Sequence, residues 1–203
     1  RYRPSQADQL HVSLYWDGAW LTEDVGTFSY RGGSAEDFGS AVHHNVVTQA
    51  GRGPMRKAGR FLWLPWVPCI RQSEPLGFCA SLRDLAGATW TRRVLRLPQG
   101  FVVVDQVHAS AAADSCELRW HGRTRAGLER LSVVCSEPSA ETWISADTQT
   151  GEGFYAPRYG RREPSWTRRL TATGRTVTFV TALGCAIDLR PDAVWVDGLP
   201  YPL

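Results

Sequence analysis

Residues 3–51 read RPSQADQLHVSLYWDGAWLTEDVGTFSYRGGSAEDFGSAVHHNVVTQAG, and the fold is most legible in this stretch. Leu10, Val12, Leu14 and Trp16 alternate with His11, Ser13 and Tyr15, which is the two-residue period of a strand with one buried face. Asp17-Gly18 follows at once, a pair suited to the tight turn of a hairpin. Asp24 then stands beside Gly26-Thr27, and His43-His44-Asn45 leads into the apolar pair Val46-Val47.

The same period recurs along the rest of the chain. Cys116, Leu118 and Trp120 share one parity, as do Val177, Phe179, Thr181 and Leu183. Turn signals separate such runs at Gly32-Gly33, Gly51-Arg52-Gly53-Pro54, Pro98-Gln99-Gly100, Thr173-Gly174 and Asp197-Gly198. Helical periodicity is almost absent. The expectation is an all-β chain forming an antiparallel β-sandwich with little or no helix. Residues 109–115 and 149–165 read as loops, with a short helix near Ala126–Leu131. Of the nine tryptophans, about two-thirds are expected to fill the space between sheets.

A chain of 203 residues can bury one substantial core, so residues 1–203 are expected to form a single domain. An apolar fraction of 43% with 21% charged residues excludes a disordered chain. No apolar run approaches the roughly 20 residues of a membrane helix, so no membrane partner is expected. The sequence opens at Arg1 without an initiator Met, which reads as a processed product or a piece of a longer chain.

The net charge of +3 comes from 22 Arg and the single Lys57 against 20 acidic residues, spread without a basic run. That pattern gives no footprint for nucleic acid. Arg does suit bidentate recognition of carboxylate and sulfate better than Lys. The five cysteines form no CxxC pair, which argues against a thiolate zinc site.

By themselves Asp24, His43 and His44 make a weak case for a metal. Adjacent histidines on a strand would face opposite ways, and Asp24 can equally cap the Gly26-Thr27 turn. The order of the pieces, however, resembles the C-terminal β-sandwich of the heparinase II/III-like polysaccharide lyases. Gln6-Ala7-Asp8 stands where that family has His-Ala-Asp. Asp24, Gly26, Thr27, Phe28 and Tyr30 match its Asp-x-Gly-Thr-(Tyr/Phe)-x-Tyr, and His44-Asn45-Val46-Val47 its His-Asn-(Thr/Val)-Val. Residues 55–63 (MRKAGRFLW), 100–107 (GFVVVDQV) and 153–164 (GFYAPRYGRREP) extend the likeness over most of the chain.

The resemblance implies a bacterial sandwich of the super-sandwich type, periplasmic or secreted. It would belong to a longer chain whose preceding α-helical toroid domain is not in these residues. It also implies β-elimination on an acidic, uronate-containing polysaccharide. The family's metal ligands fall on Gln6, Asp24 and His44. An amide oxygen is a weak, hard ligand that suits Ca²⁺ better than Zn²⁺, so a divalent site would be weakened at Gln6, with Asp8 a structural carboxylate. A histidine that some relatives use as an acid–base group falls on Pro4, which can do no such work. The toroid supplies the family's catalytic Tyr and its Asn or His. No catalytic residue is therefore assigned here, and the chain alone is expected to lack a complete active site.

Tyr155, Arg158 and Tyr159, with Arg161 and Arg162 beside them, read equally as a loop wall that recognises an acidic sugar or as a solvated Arg-rich loop. His11, His108 and His121 read as hydrogen-bonded structural residues. A different class of function stays open beside the lyase: a non-catalytic carbohydrate-binding or scaffolding sandwich with a degenerate metal site.

Overall fold

The computed structural model describes residues 5–30, 33, 35–110 and 115–203. Two antiparallel sheets face each other across the main core. The larger has six strands, in the order Ser132–Cys135, Thr176–Leu183, Gly100–His108, Thr89–Leu97, Gly77–Arg83 and Cys69–Glu74. The smaller has four, in the order Ser139–Ile144, Trp166–Thr173, Ser115–Gly122 and Val47–Gln49. The all-β sandwich expectation holds, and the short helix is Arg125–Glu129, capped by the Thr124 side chain accepting from the Gly127 amide.

Alternation builds this core as the sequence indicates. Cys116, Leu118 and Trp120 are fully buried and pack with Val177, Phe179 and Leu183 of the facing sheet. Trp120 bridges the layers, donating its indole N–H to Thr181 Oγ1 at 3.0 Å. Trp63, Trp90 and Trp120 lie in this core, and Trp16, Trp143 and Trp166 pack against it. Trp20 and Trp66 are exposed, so the expectation for the tryptophans holds in outline.

Alternation alone does not explain why Thr178, Val180 and Ala182, on the other face of the same strand, are also buried. A third layer covers them. The strands Ile187–Leu189, Ala193–Val196 and Leu199–Pro202 form a sheet whose Val194 and Val196 pack on Val102, Val104, Val180 and Ala182. Asp17-Gly18 and Asp197-Gly198 make the two-residue turns of the hairpins Leu14–Trp16/Ala19–Thr22 and Ala193–Val196/Leu199–Pro202. Each of these four residues has positive φ, as that turn requires.

Three expectations need correction. The strand read over Leu10–Trp16 is confined to Leu14–Trp16, because Leu10 adopts φ 66° and breaks the extended run. Its inward face survives, since Leu10, Val12 and Trp16 still pack on the core. Residues 149–165 are not all loop: Phe154–Arg158 and Arg161–Pro164 pair as a hairpin, turning at Tyr159-Gly160 where Gly160 has φ 75°. His43 and His44 are not on a strand either. Ala41–His43 is a 3-10 turn, and the strand begins only at Val47. Part of the loop read over 109–115 falls on residues 111–114, outside the described residues, and Ser115 already begins a strand.

Candidate site at the Asp24 turn

The segment carrying Asp24 runs between two fixed edges. On one side the Glu23 amide donates to the His121 carbonyl at 2.9 Å, at the end of the central Ser115–Gly122 strand. On the other, the Ala156 amide of the Phe154–Arg158 strand donates to the Val25 carbonyl at 2.7 Å. Gly26 lets that strand come close, because a Cβ on Gly26 would lie 2.5 Å from the Ala156 carbonyl oxygen.

Asp24 does both things its sequence context allows. Its Oδ1 accepts the Gly26 amide at 2.7 Å, capping the turn, and its Oδ2 meets His44 Nδ1 at 3.0 Å. His11 Nε2 stands 3.8 Å from the same Oδ2 and 3.0 Å from Ser13 Oγ. One ligand-type atom from each of His11, Asp24 and His44 therefore lies within 4.8 Å of the others. The 3-10 turn separates the paired histidines: His44 faces Asp24, while His43 packs on the Phe38 ring at 4.8 Å.

Asn45 ties the site together. Its amide N–H donates to His11 Nδ1 at 3.1 Å, and its side-chain nitrogen donates to the Val12 and Glu23 carbonyls at 3.0 and 3.2 Å. Its side-chain oxygen accepts the His121 amide at 2.7 Å, and its own carbonyl accepts Arg92 Nη1. Arg92 also donates to the Leu10 carbonyl at 2.7 Å, holding the left-handed turn there, and grips Asp105 through two bonds of 2.7 and 2.9 Å.

The electrostatics agree with this geometry. Burial works against ionising Asp24, but the hydrogen bond and charge of His44, the Gly26 amide and His11 outweigh it, and the carboxyl falls to about 2. Burial lowers His11 to about 4; Asp24 pulls the other way, and the charges of His44 and Arg92 reinforce the lowering. Burial also pushes His121 well below the ordinary imidazole range, helped by His43 and Arg119.

Whether a metal fits is decided by where the imidazole protons sit. Nδ1 of His11 accepts a backbone N–H, so neutral His11 carries its proton on Nε2, the atom that faces Asp24. His44 donates from Nδ1 to an ionised Asp24, and its Nε2 is buried with no hydrogen-bond partner among the described residues. A metal takes an unprotonated nitrogen. The two inner nitrogens of this cluster both carry protons, and freeing His11 would break its bond to Asn45. As folded, the trio is a closed hydrogen-bonded clamp: His44 could free Nδ1 for an ion by carrying its proton on Nε2, but His11 could not free Nε2 without losing Asn45, so the three together do not fit a zinc ion.

Among the sequence-derived positions, Asp24 and His44 come together. Gln6 stands over the same turn, its amide nitrogen donating to Thr27 Oγ1 at 3.3 Å. Asp8 is exposed, and its backbone carbonyl accepts the His11 amide. Pro4 lies outside the described residues. Tyr155 is half-buried and committed, since its hydroxyl donates to Glu163 at 2.6 Å and Arg123 stacks 4.8 Å over its ring. Arg162 turns inward over Phe154 and Phe28, and Arg161 pairs with Glu163. Arg158 and Tyr159 are exposed at the hairpin tip.

By alternation His11 falls on a strand face, and Asn45 has no role in the sequence beyond its place in the His-Asn-Val-Val run. The left-handed Leu10 that swings His11 toward Asp24 has no marker in sequence, because Leu rarely adopts that conformation. Asn45 had a signal, its place directly after His44, but nothing in its type announces five hydrogen bonds.

A stacked antiparallel sandwich with an Asp-His clamp at one edge is the class that fold and site define. The heparinase II/III-like C-terminal family model matches residues 2–189, and the chain belongs to that family. Solved structures with the same fold include a heparinase III (TM-score 0.68, 14% identity, 98% of this chain and 35% of that one). The heparan sulfate lyase HepC of Pedobacter heparinus is another (TM-score 0.63, 12% identity, 98% of this chain and 36% of that one). The chain thus spans little more than a third of the length of these neighbours. No curated protein sequence matches it.

Proposed function

We propose that this chain is the C-terminal β-sandwich of a longer polysaccharide lyase that cleaves an acidic, uronate-containing polysaccharide by β-elimination. The family match over residues 2–189 carries this reading. The length of the structural neighbours supports it too, since their additional residues leave room for a preceding helical domain. β-Elimination needs a base for the proton α to the uronate carboxyl, a group that neutralises that carboxyl, and an acid for the leaving oxygen. In this proposal the base and acid come from the helical domain of the parent chain. The sandwich supplies one wall of the cleft, with Arg158 and Tyr159 reaching the sugar from the hairpin beside the Asp24 turn. Asp24 and His44 hold that wall's base in shape, and no step passes through a metal.

The closed clamp favours a second reading: a sandwich that binds carbohydrate without catalysing. The two separate in one assay. The full-length parent protein is incubated with a panel of uronate polysaccharides, and absorbance of the unsaturated product is followed near the ultraviolet edge. A rise on any member supports the lyase. A flat trace across the panel, from protein that still binds those polymers, rejects it for the binding module.

A further inference from the structure

Two hairpin tips converge on one tyrosine at the surface. Tyr30 packs against Phe61 with ring centroids 4.7 Å apart and against Tyr159 at 5.6 Å. Phe61 sits at the turn between the strands Arg56–Gly59 and Leu62–Leu64, and Tyr159 at the turn of the Phe154–Arg158/Arg161–Pro164 hairpin. Both rings are about half exposed, at 50% and 57%. The Tyr30 amide faces the Tyr159 hydroxyl at 3.5 Å, and the Gly160 amide donates to the Phe28 carbonyl at 2.8 Å, so the second tip is tied to the segment that carries Tyr30.

These contacts tie the tips together, but they leave about half of Phe61 and of Tyr159 in water. An aromatic at the tip of a hairpin buries little, and its exposed ring face costs solvation. The residues that precede Phe61 and Tyr159 in the chain are Arg60 and Arg158, both exposed and neither ion-paired among the described residues. The neighbouring charges do have partners: Lys57 with Asp37 and Arg161 with Glu163. Exposed ring faces with an arginine next in the chain, exposed and free of ion pairs among the described residues, suit a sugar ring that carries an anionic substituent. The C–H face of the sugar stacks on the aromatics, and carboxylate or sulfate takes the Arg fork.

We propose that Tyr30, Phe61 and Tyr159, with Arg60 and Arg158, form a platform that holds one anionic sugar unit across the two hairpin tips. The choice of ligand rests on the acidic-polysaccharide reading above. The platform itself rests on the ring geometry and on two arginines without ion pairs among the described residues, and it brings the Arg56–Leu64 hairpin into the site.

The test is equilibrium binding of this chain to three hexasaccharides: a uronate oligomer, its carboxyl-reduced neutral counterpart, and a sulfated uronate oligomer. Wild type is expected to bind the two anionic ligands and to bind the neutral one at least tenfold more weakly. Phe61→Ala and Tyr159→Ala should each weaken anionic binding about tenfold, the scale of one lost aromatic stack. Arg60→Gln combined with Arg158→Gln should bring the anionic ligands down to the neutral one. A stronger effect on the sulfated oligomer assigns the arginines to sulfate, and an equal effect assigns them to carboxylate. These side chains are exposed, so unchanged thermal midpoints separate lost contact from lost fold.

The platform is overturned if wild type binds none of the three, if the neutral ligand binds as well as the charged ones, or if both aromatic variants bind within twofold of wild type. Lyase activity of the parent is read apart from this. Binding lost in the variants from an inactive parent keeps the platform and rejects the lyase. An active parent whose KM ignores both aromatic variants does the reverse.

Discussion

The backbone N–H of Asn45 donates to Nδ1 of His11 at 3.1 Å, and this bond decides which nitrogen of His11 holds a proton. With Nδ1 accepting, Nε2 must be the protonated atom, and it points at a carboxylate already engaged by His44. Long-range ¹H–¹⁵N spectra of the imidazoles should therefore show His11 protonated at Nε2 and His44 at Nδ1. Added zinc should leave both patterns unchanged at stoichiometric concentration.

Gln6→His tests the family correspondence from the other side. An imidazole beside Thr27 would supply the ligand that the amide lacks, with Asp24 and His44 as the remaining pair. Zinc retained after dialysis, measured by elemental analysis, should rise from near zero toward one per chain. If occupancy stays at the wild-type level, Gln6 does not occupy the ligand position.

Burial of neutral histidines makes the fold acid-sensitive. The folded pKa of His11 lies at about 4, below its unfolded value near 6.5, so the unfolded chain binds the proton first as pH falls. The stability from keeping His11 neutral is complete above about pH 6.5 and is lost progressively toward pH 4. Its full extent is on the order of 3 kcal/mol. His121, shifted in the same direction by burial, adds to the loss as pH falls below about 6.5. Asp24, lowered to about 2, begins to lose its contribution only below about pH 4. Urea midpoints measured with chelator between pH 7 and pH 4.5 should fall steadily, and His11→Gln should flatten the slope. A pH-independent midpoint over that range would contradict the burial argument.

The sheets were legible because their information is local. Cys116, Leu118 and Trp120 declare an inward face by parity, and Asp17-Gly18 and Asp197-Gly198 declare turns by the φ values they tolerate. The third layer was harder to see, since Val180 and Ala182 fit a strand buried on one face as well as on two. Half of the site was legible for the same reason. Asp24 and His44 stand in a recognisable order, whereas His11 reaches them through a left-handed Leu10 held by Arg92, far away in sequence. The meeting of Phe61 with Tyr159 depends on two hairpins nearly one hundred residues apart, which no periodicity encodes.

Arg92 and Asp105 form a buried bidentate pair, and their removal should show how much the site leans on it. Arg92→Ala leaves Asp105 charged and buried, and should cost about 3–5 kcal/mol in denaturant titration. An apolar replacement of both, Arg92→Met with Asp105→Leu, often restores such a loss elsewhere. Here it should restore only part, because the carbonyls of Leu10 and Asn45 would still lack their donor. Each such orphan costs about 1–3 kcal/mol. Full recovery in the double variant would mean that water reaches those carbonyls and that the Leu10 turn does not need Arg92.

Gly26 and Gly160 share nearly the same backbone conformation, φ 75° in each, yet they should respond differently to a methyl group. At Gly160 a Cβ would meet nothing within 4 Å, so Gly160→Ala should cost only the backbone preference, about 1 kcal/mol. At Gly26 the same Cβ would lie 2.5 Å from the Ala156 carbonyl oxygen, and backbone on both sides cannot rotate away. Gly26→Ala must push the Phe154–Arg158 strand outward and stretch the bond from the Ala156 amide to the Val25 carbonyl. A stability loss of about 2 kcal/mol beyond that of Gly160→Ala is expected. Hydrogen exchange should accelerate at the Ala156 amide while the central Ser115–Gly122 strand stays protected. Equal costs for the two variants would show that the hairpin is not seated on the Asp24 turn, and Tyr159 would then lose its fixed place beside Tyr30.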